Sequence, residues 1–144
     1  MIFRFDDICA NTDMAKANAM GRILRTRYPN CEIWFCISPL VHDMTAARGS
    51  DKERIFPRIL NAYSDFRNFY RVTRCAIPDI IPEVSRASHG LIHVDHRLLT
   101  KEVQEMSILI SCALAKSSIF VPPFNKWNQD TDEICKEHGI RMAK

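Results

Sequence analysis

The sequence predicts an α/β fold with mainly parallel strands. Short runs rich in apolar, β-branched and aromatic residues alternate with longer segments of helical periodicity, and this alternation is typical of parallel strands joined by helical crossovers. Residues 31–38 (CEIWFCIS) are apolar at nearly every position, as expected of a strand covered on both faces. We therefore expect one parallel sheet flanked by helices.

Size and composition indicate one globular unit. The chain has 144 residues, of which 47% are hydrophobic and 26% charged, as in ordinary globular domains. No repeat, low-complexity segment or linker divides it, so we predict a single domain over residues 1–144. The length is well short of the ~250 residues of a closed eight-fold barrel.

The first half of the chain predicts two strands before a long loop. Residues 2–5 form the first strand, and Asn11, Thr12 or Asp13 can cap a helix over residues 13–27. The apolar face expected for this helix consists of Ala17, Met20, Ile23, Leu24 and Tyr28. After the helix and the strand at 31–38, we expect a loop at 39–53, a helix at 55–68 and a strand at 71–77.

The second half of the chain continues the alternation. A turn at 78–82 leads into a strand at 84–88, and Thr100 can cap a helix over residues 101–116. The apolar residues at helical spacing in that helix are Val103, Met106, Ile110, Ala113 and Leu114. A strand at 118–121, a short helix from Asp130 or Thr131 to Gly139 and a strand at 140–143 complete the prediction.

Charge and hydropathy exclude some classes of partner. The formal net charge of +3 is small and dispersed, so we expect no nucleic-acid partner and no anionic-membrane surface. The longest apolar stretches fall far below the ~20 residues of a membrane-spanning helix. The first ten residues, MIFRFDDICA, carry two acids where a signal peptide is basic and then apolar. These features predict a cytoplasmic protein.

The six cysteines are interpreted as reduced thiols. In a chain without an export signal, disulfides are rare. The sequence contains no C-x-x-C pair and thus no thiolate zinc site. Cys36 and Cys112 lie within apolar segments and are expected in the core.

Two adjacent acids, Asp6 and Asp7, follow directly after the first strand. In α/β folds, residues at the carboxyl ends of strands border the site. Adjacent residues of an extended chain point in opposite directions, so one carboxylate can face a metal ion while the other faces a water molecule. A solvated loop is the alternative interpretation of this pair.

Three of the five histidines lie within eight residues, in the segment SHGLIHVDH. His89 and His93 are four apart, so a helical turn would direct both imidazoles to one point, and neutral imidazole is a common zinc ligand. His93 and His96 form an alternative pair, and Asp95 is either a ligand or an acceptor that orients an imidazole. Polar loop residues around one buried histidine are the alternative to a metal site.

A double proline follows the strand at 118–121 and restricts the backbone there. Phe124 and Trp127 follow the prolines and can form an apolar or sugar-stacking wall. Taken alone, this segment is a weak signal, because aromatic residues beside prolines usually pack in a core or a loop.

In this order, the three segments resemble the motifs of polysaccharide deacetylases, the NodB-like carbohydrate esterases. An apolar strand followed by D-D matches FRFDD at residues 3–7, H-[ST]-x-x-H matches HGLIH at 89–93, and F-R-P-P-Y/F-G matches FVPPFN at 120–125. The helix pattern Q-E-I/M-x-x-S is similar to the segment containing Gln104, Glu105, Met106, Ser107 and Ser111. The resemblance covers essentially the whole chain. It implies a partial or distorted (β/α) barrel of the polysaccharide deacetylase type.

The resemblance also implies residue roles. Asp7, His89 and His93 would bind a divalent metal, most often zinc, and Asp6 would be the general base. The implied reaction removes N-acetyl groups from an amino-sugar or polysaccharide substrate through a metal-bound water, whose pKa can fall to ~7. The residues implied at the substrate are Pro123, Phe124, Asn125 and Trp127.

The chain departs from the family pattern in two places. Val121 stands where the family has an arginine that pairs with the catalytic aspartate, and Arg4 and Lys126 are the candidates to replace it. The chain ends soon after the third motif, so we expect the C-terminal part of the family barrel, with its histidine general acid, to be missing. His138 lies near a helix end and is a poor substitute.

These departures leave two alternatives to the enzyme open. One is a catalytically impaired homologue that binds metal or saccharide without turnover, and the other is a plain α/β domain without a metal. An open parallel sheet also has exposed edges, which proteins pair or cover. We therefore expect a homodimer that closes the sheet.

Overall fold

A computed structural model describes residues 1–9, 12–42, 73–75, 79–91, 93 and 95–143, with the backbone alone at 40–42 and 73–75. The described strands are β1 (Ile2–Ile8), β2 (Glu32–Ile37), β3 (Leu40–His42), β4 (Thr73–Cys75), β5 (Ser85–Ser88), β6 (Ile119–Phe120) and β7 (Arg141–Met142). The described helices are α1 (Met14–Arg27), α2 (Lys101–Ala115) and α3 (Gln129–Glu137), with single 3-10 turns at His96–Leu98 and Pro123–Asn125.

Five strands form a parallel sheet in the order β1-β2-β5-β6-β7. In the part of the chain that the structure describes, β1 and β7 are the two edges and the sheet does not close. The α/β class with mainly parallel strands and an incomplete barrel is therefore confirmed. Because the strands are parallel, their carboxyl ends lie at one edge of the sheet.

The central strand β2 is buried on both faces, as its composition predicts. Ile33, Phe35 and Ile37 pack in the cluster that receives α1. On the opposite face, Trp34 and Cys36 pack with residues of the neighbouring strands. Both faces of β2 are thus withdrawn from water, which is the main apolar contribution to holding the sheet together.

Helix α1 begins where the sequence indicates, because the Asp13 side chain accepts a hydrogen bond from the amide of Lys16. Its buried face differs from the prediction. Met20 and Ile23 are 46% and 58% exposed, while Gly21 is the residue buried against the sheet side. A Cβ on Gly21 would lie 2.8 Å from Cγ2 of Val84, so the close approach made possible by glycine sets which face turns inward.

Helix α2 is capped by Thr100, as predicted. The face predicted from its apolar residues is not the one that is most buried. Its fully buried positions include three polar residues, Gln104, Ser107 and Ser111, and Ala113 is exposed. Those polar side chains point inward because they have hydrogen-bond partners on neighbouring segments, described below. None of the described helices is long and apolar enough to cross a lipid bilayer.

Two predictions between β2 and β5 need correction. Residues 40–42 form β3 rather than part of a loop, and β3 pairs antiparallel with β4 in a separate two-stranded sheet. The strand predicted at 71–77 exists at Thr73–Cys75, but outside the main sheet. The helix predicted at 55–68 lies outside the described residues. Cys36 and Cys112 are buried, and the five cysteines whose side chains are described are free thiols.

Candidate metal centre

The residues singled out from the sequence meet at the carboxyl edge of the sheet. The pairing of β1 with β2 is irregular between Phe5 and Ile8, and Asp7 within this bulge has φ of 61°. Aspartate tolerates this left-handed conformation better than most residues. The bulge directs Asp7 away from the regular ladder and toward the segment that follows β5.

Asp7, His89 and His93 form a compact set of ligand atoms. Asp7 Oδ1 lies 3.0 Å from Nε2 of His93 and 3.5 Å from Nε2 of His89, and one ligand atom from each residue lies within 4.8 Å of the others. Two imidazole nitrogens and one carboxylate oxygen are a donor set suited to Zn²⁺ and similar divalent ions. The Asp7 side chain is 64% exposed, so the set is open to solvent on one side.

His89 is held in one orientation by the backbone. Its Nδ1 lies 2.8 Å from the carbonyl oxygen of Val121, which can only accept a hydrogen bond, so Nδ1 carries the proton and Nε2 presents its lone pair. Burial lowers the pKa of His89. Burial thus favours the neutral imidazole that a metal requires as a ligand, and the carbonyl selects the tautomer of that neutral ring.

The double-proline segment lies directly against the histidines. The ring of Phe124 is 4.2 Å, centroid to centroid, from the ring of His93, and Phe124 is 54% exposed. Phe124 and Asn125 both have positive φ, at 57° and 54°. Pro123 is buried and Trp127 is partly buried. The segment thus presents an exposed aromatic ring beside the ligand set.

Asp6 makes a two-point ion pair with Arg4. Arg4 Nε lies 2.9 Å from Oδ1 of Asp6 and Nη2 lies 3.0 Å from Oδ2. Nη2 also donates to the side-chain oxygen of Asn125 at 2.6 Å. Residues two apart in a strand lie on one face, so this pairing had a signal in the sequence. Of the two candidates for replacing the family arginine, Arg4 is the one that contacts Asp6.

Asp95 and His96, the alternative ligands, lie outside the described group of converging ligand atoms. The carboxylate of Asp95 accepts hydrogen bonds from Nε and Nη2 of Arg97, and these bonds lower the pKa of Asp95. His96 is fully buried, with Nε2 3.1 Å from the hydroxyl of Ser107. In this structure Asp95 pairs with Arg97 and His96 packs against α2.

The fold of this chain is similar to that of solved structures. A family 4 carbohydrate esterase from Streptomyces lividans, solved in complex with acetate, superimposes with a TM-score of 0.56 and 11% identity, over 99% of this chain and 60% of that one. The deacetylase PplD from Streptococcus pyogenes, also in complex with acetate, gives 0.54 and 14%, over 95% and 51%. The chain has the fold of the family 4 carbohydrate esterases. It spans about half to three-fifths of the length of these two proteins.

No protein-family model matches the sequence, and no curated protein matches it either. The carbohydrate esterase fold is therefore visible in the three-dimensional arrangement and in the short motifs. At 11% and 14% identity, the structural likeness establishes the fold.

Buried polar residues of α2 support the loop of this carbohydrate esterase fold that carries the histidines. The hydroxyls of Ser88 and Ser111 are 2.6 Å apart, and the amide of Leu91 donates to the hydroxyl of Ser107 at 3.2 Å. Gln104 donates to the carbonyl of Leu99 and accepts a hydrogen bond from the hydroxyl of Thr131. The apolar periodicity of the helix did not predict that these polar side chains face inward, because polar residues of an amphipathic helix ordinarily face water.

Proposed function

We propose that this chain is a metal-dependent hydrolase that removes N-acetyl groups from amino sugars in oligo- or polysaccharides. The observation that carries the proposal is the convergence of Asp7, His89 and His93, directly beside Asp6. The fold shared with two carbohydrate esterases supports it. Both of those proteins were solved with acetate, which is the acid that hydrolysis of an N-acetyl group releases.

Two imidazole nitrogens and one carboxylate oxygen suit a divalent ion, and this donor type favours zinc. When bound, such an ion lowers the pKa of a coordinated water to ~7 and polarises the acyl oxygen. Asp7 supplies the negative charge of the ligand set. His89 contributes Nε2 in the tautomer that the Val121 carbonyl selects, and His93 contributes Nε2 from the loop.

Asp6 is proposed as the general base. Its carboxylate lies on the residue directly before the ligand Asp7, and it would take the proton of the attacking water. Arg4 contacts both carboxylate oxygens of Asp6. Each oxygen keeps another lone pair, which can accept the proton.

The Pro123–Asn125 turn is proposed to contact the substrate. Asn125 N–H already donates to the Pro122 carbonyl, so we assign the N–H of Phe124 as the donor to the developing oxyanion. The exposed ring of Phe124 offers an apolar surface to a sugar, with Trp127 further along the same segment.

Two measurements test the proposal. Purified protein is analysed for bound metal and titrated with Zn²⁺, and acetate release from a chitooligosaccharide is then followed for wild type and Asp6→Asn. We expect about one metal per chain and a rate for Asp6→Asn lower by about 10²–10⁴-fold. A protein that neither retains nor binds metal contradicts the proposal, as does equal acetate release by the two proteins.

A second candidate is binding of metal or saccharide without turnover. The two histidines outside the ligand set whose side chains are described are engaged elsewhere: His96 with Ser107 and His138 with Glu105 at 2.7 Å. Neither is placed to protonate a leaving amine at the ligand set. Zinc binding at the set, together with no acetate release above an Asp6→Asn background, would favour this candidate.

The cytoplasmic location, the single domain and the absence of nucleic-acid and membrane partners stay predictions from the sequence. The homodimer is also a proposal. Its support is the edge strand β1, where Ile2 is 50% exposed. One row of backbone groups on β1 pairs with none of the described strands. A monomeric mass in light scattering at micromolar concentration would contradict it.

A further inference from the structure

Arg4 occupies an unusual position relative to the site. It lies on β1 itself, two residues before Asp6, and its side chain is only 24% exposed. Two of its nitrogens contact the two carboxylate oxygens of Asp6 at 2.9 and 3.0 Å. This fork-to-fork geometry fixes the plane of the carboxylate as well as its position, which a single contact from lysine would not do.

The same guanidinium group makes a second side-chain contact, with Asn125. Nη2 also donates to the side-chain oxygen of Asn125 at 2.6 Å, across 121 positions of sequence. Asn125 adopts a φ of 54°, a conformation that asparagine tolerates and that most other residues with a side chain avoid. The position thus combines a left-handed backbone with a side chain able to accept a hydrogen bond, and glycine would satisfy only the first requirement.

Cys36 on β2 also lies near Asp6. Cys36 is fully buried on β2, and burial together with the nearby charge of Asp6 raises the pKa of its thiol. Arg4, Asn125 and Cys36 come from three different segments. The orientation of Asp6 is therefore determined by tertiary contacts and by more than its own rotamer preference.

We propose that Arg4 is the positioning residue for Asp6, and that the side chain of Asn125 holds Arg4 in place. The catalytic part of this proposal rests on the proposed function, in which Asp6 is the general base. The geometric part, which is the pairing of Arg4 with Asp6 and Asn125, does not depend on that function. Arg4 contacts Asp6 rather than the three candidate metal ligands, and it meets the Pro123–Asn125 turn only at the side chain of Asn125, so its effect on the reaction is exerted through Asp6.

The geometric part is tested on the intact protein without an activity measurement. In a spectrum of arginine-labelled protein, the Nε–H of Arg4 is expected as a resolved, slowly exchanging signal, because it is held by a carboxylate. Asp6→Asn should remove this signal, and Asn125→Gly should shift it while leaving the backbone conformation accessible. A wild-type Arg4 signal that is unaffected by Asp6→Asn overturns the proposal.

The catalytic part is tested by acetate release from a chitooligosaccharide. We expect Arg4→Gln to lower kcat by about 10- to 100-fold with KM changed less than about twofold, as for a group that acts through general-base alignment. Arg4→Lys should recover part of this loss, and guanidinium ion added to Arg4→Ala should raise kcat. Asn125→Gly should lower kcat less than Arg4→Gln.

A matched control and a metal measurement make the outcome specific. Arg141 is also an ion-paired arginine of the sheet, with Nη2 3.6 Å from Glu32, and Arg141→Gln should leave kcat unchanged. Zinc affinity should be the same in wild type and in the Arg4 variants. Equal kcat for Arg4→Gln and Arg141→Gln, or loss of metal from Arg4→Gln, overturns the positioning role. An inactive wild type with an intact Arg4–Asp6 signal refutes the proposed function alone and supports the pairing.

Discussion

Nδ1 of His89 donates a hydrogen bond to the carbonyl oxygen of Val121 at 2.8 Å, from the end of β5 to the residue that follows β6. The acceptor is a main-chain atom, so the contact is independent of the side chain at position 121. Valine can therefore stand there without altering the orientation of the imidazole. The backbone that follows β6 therefore selects which nitrogen of His89 faces Asp7.

Removal of one candidate ligand should abolish tight metal binding. We expect His89→Ala to lower Zn²⁺ affinity by more than about 100-fold, since loss of even an outer partner of a ligand costs 10–100-fold. Competition with a chromogenic chelator measures the change. His138→Ala is the control, because His138 pairs with Glu105 between α2 and α3 and should leave affinity unchanged. Equal affinity of His89→Ala and wild type would exclude this ligand set.

Ser107→Ala should weaken both the fold and the metal site. The variant leaves the buried amide of Leu91 and Nε2 of His96 without the Ser107 hydroxyl, and we expect a loss of about 1–3 kcal/mol in the free energy of unfolding. We also expect zinc affinity to fall about 10-fold, because the loop carrying His93 loosens. Urea unfolding and zinc titration measure the two effects.

Ser117→Ala is the matched control for that variant. The Ser117 hydroxyl also makes two hydrogen bonds, to the Arg86 carbonyl and from the Ile119 amide, but they lie at the amino end of β6. We expect some loss of stability and no change in zinc affinity. A fall in affinity as large as that of Ser107→Ala would contradict the specific role of Ser107.

Gly21→Ala should destabilise the protein although it improves helix propensity. The new Cβ would lie 2.8 Å from Cγ2 of Val84, and such overpacking costs about 1–3 kcal/mol, against a propensity gain of about 1 kcal/mol. The net loss, measured by thermal or urea unfolding, should be relieved in the double variant Gly21→Ala/Val84→Ala relative to Val84→Ala alone. A Gly21→Ala protein more stable than wild type would refute the close packing of α1.

The ion pair between Lys101 and Glu133 should make the contact between α2 and α3 sensitive to acid. Hydrogen bonds from Lys101 and Gln129 lower the pKa of Glu133 below its ordinary 4.5. The unfolded chain therefore binds a proton at higher pH than the folded chain. The stabilisation is present above pH ~4.5 and is lost as pH falls through the folded pKa. The difference in urea midpoint between wild type and Glu133→Gln should shrink from pH 6 to pH 3; a constant difference would contradict this linkage.

Two buried thiols should resist alkylation in the folded protein. Burial raises the pKa of Cys112 to about 11 and that of Cys135 to about 12, so little thiolate is present at pH 8. Mass spectrometry after iodoacetamide treatment should show Cys9, which is partly exposed, labelled much faster than either. In urea the three rates should converge, and equal rates without urea would argue against this core.

Much of the secondary structure could be predicted because its signals are local. Asp13 and Thr100 cap their helices through bonds to amides three residues on, and such contacts are encoded within one turn. The apolar run of β2 likewise predicts burial on both faces. The faces of α1 and α2 were predicted less well, because a count of apolar residues ignores the close approach at Gly21 and the partners of Ser107 and Ser111.

The candidate site likewise has some features that the sequence predicts and others that it does not. The resemblance to the deacetylase motifs implies Asp7, His89 and His93 as ligands, whereas the clustered histidines and paired acids alone left His96 and Asp95 as alternatives. The convergence of Asp7, His89 and His93 depends on the order of the strands, since β1 and β5 both pair with β2. The left-handed backbone of Asp7 and the acceptor for His89 had no local signal.

By itself, the sequence determined the α/β class and the capped starts of α1 and α2, because these depend on residue type and near-neighbour spacing. The tertiary structure alone decided that Asn125 holds Arg4 and that polar residues of α2 turn inward. Those outcomes depend on contacts between residues far apart in sequence. Periodicity records how much apolar surface a segment has, whereas the direction in which a polar group points depends on whether a partner lies there.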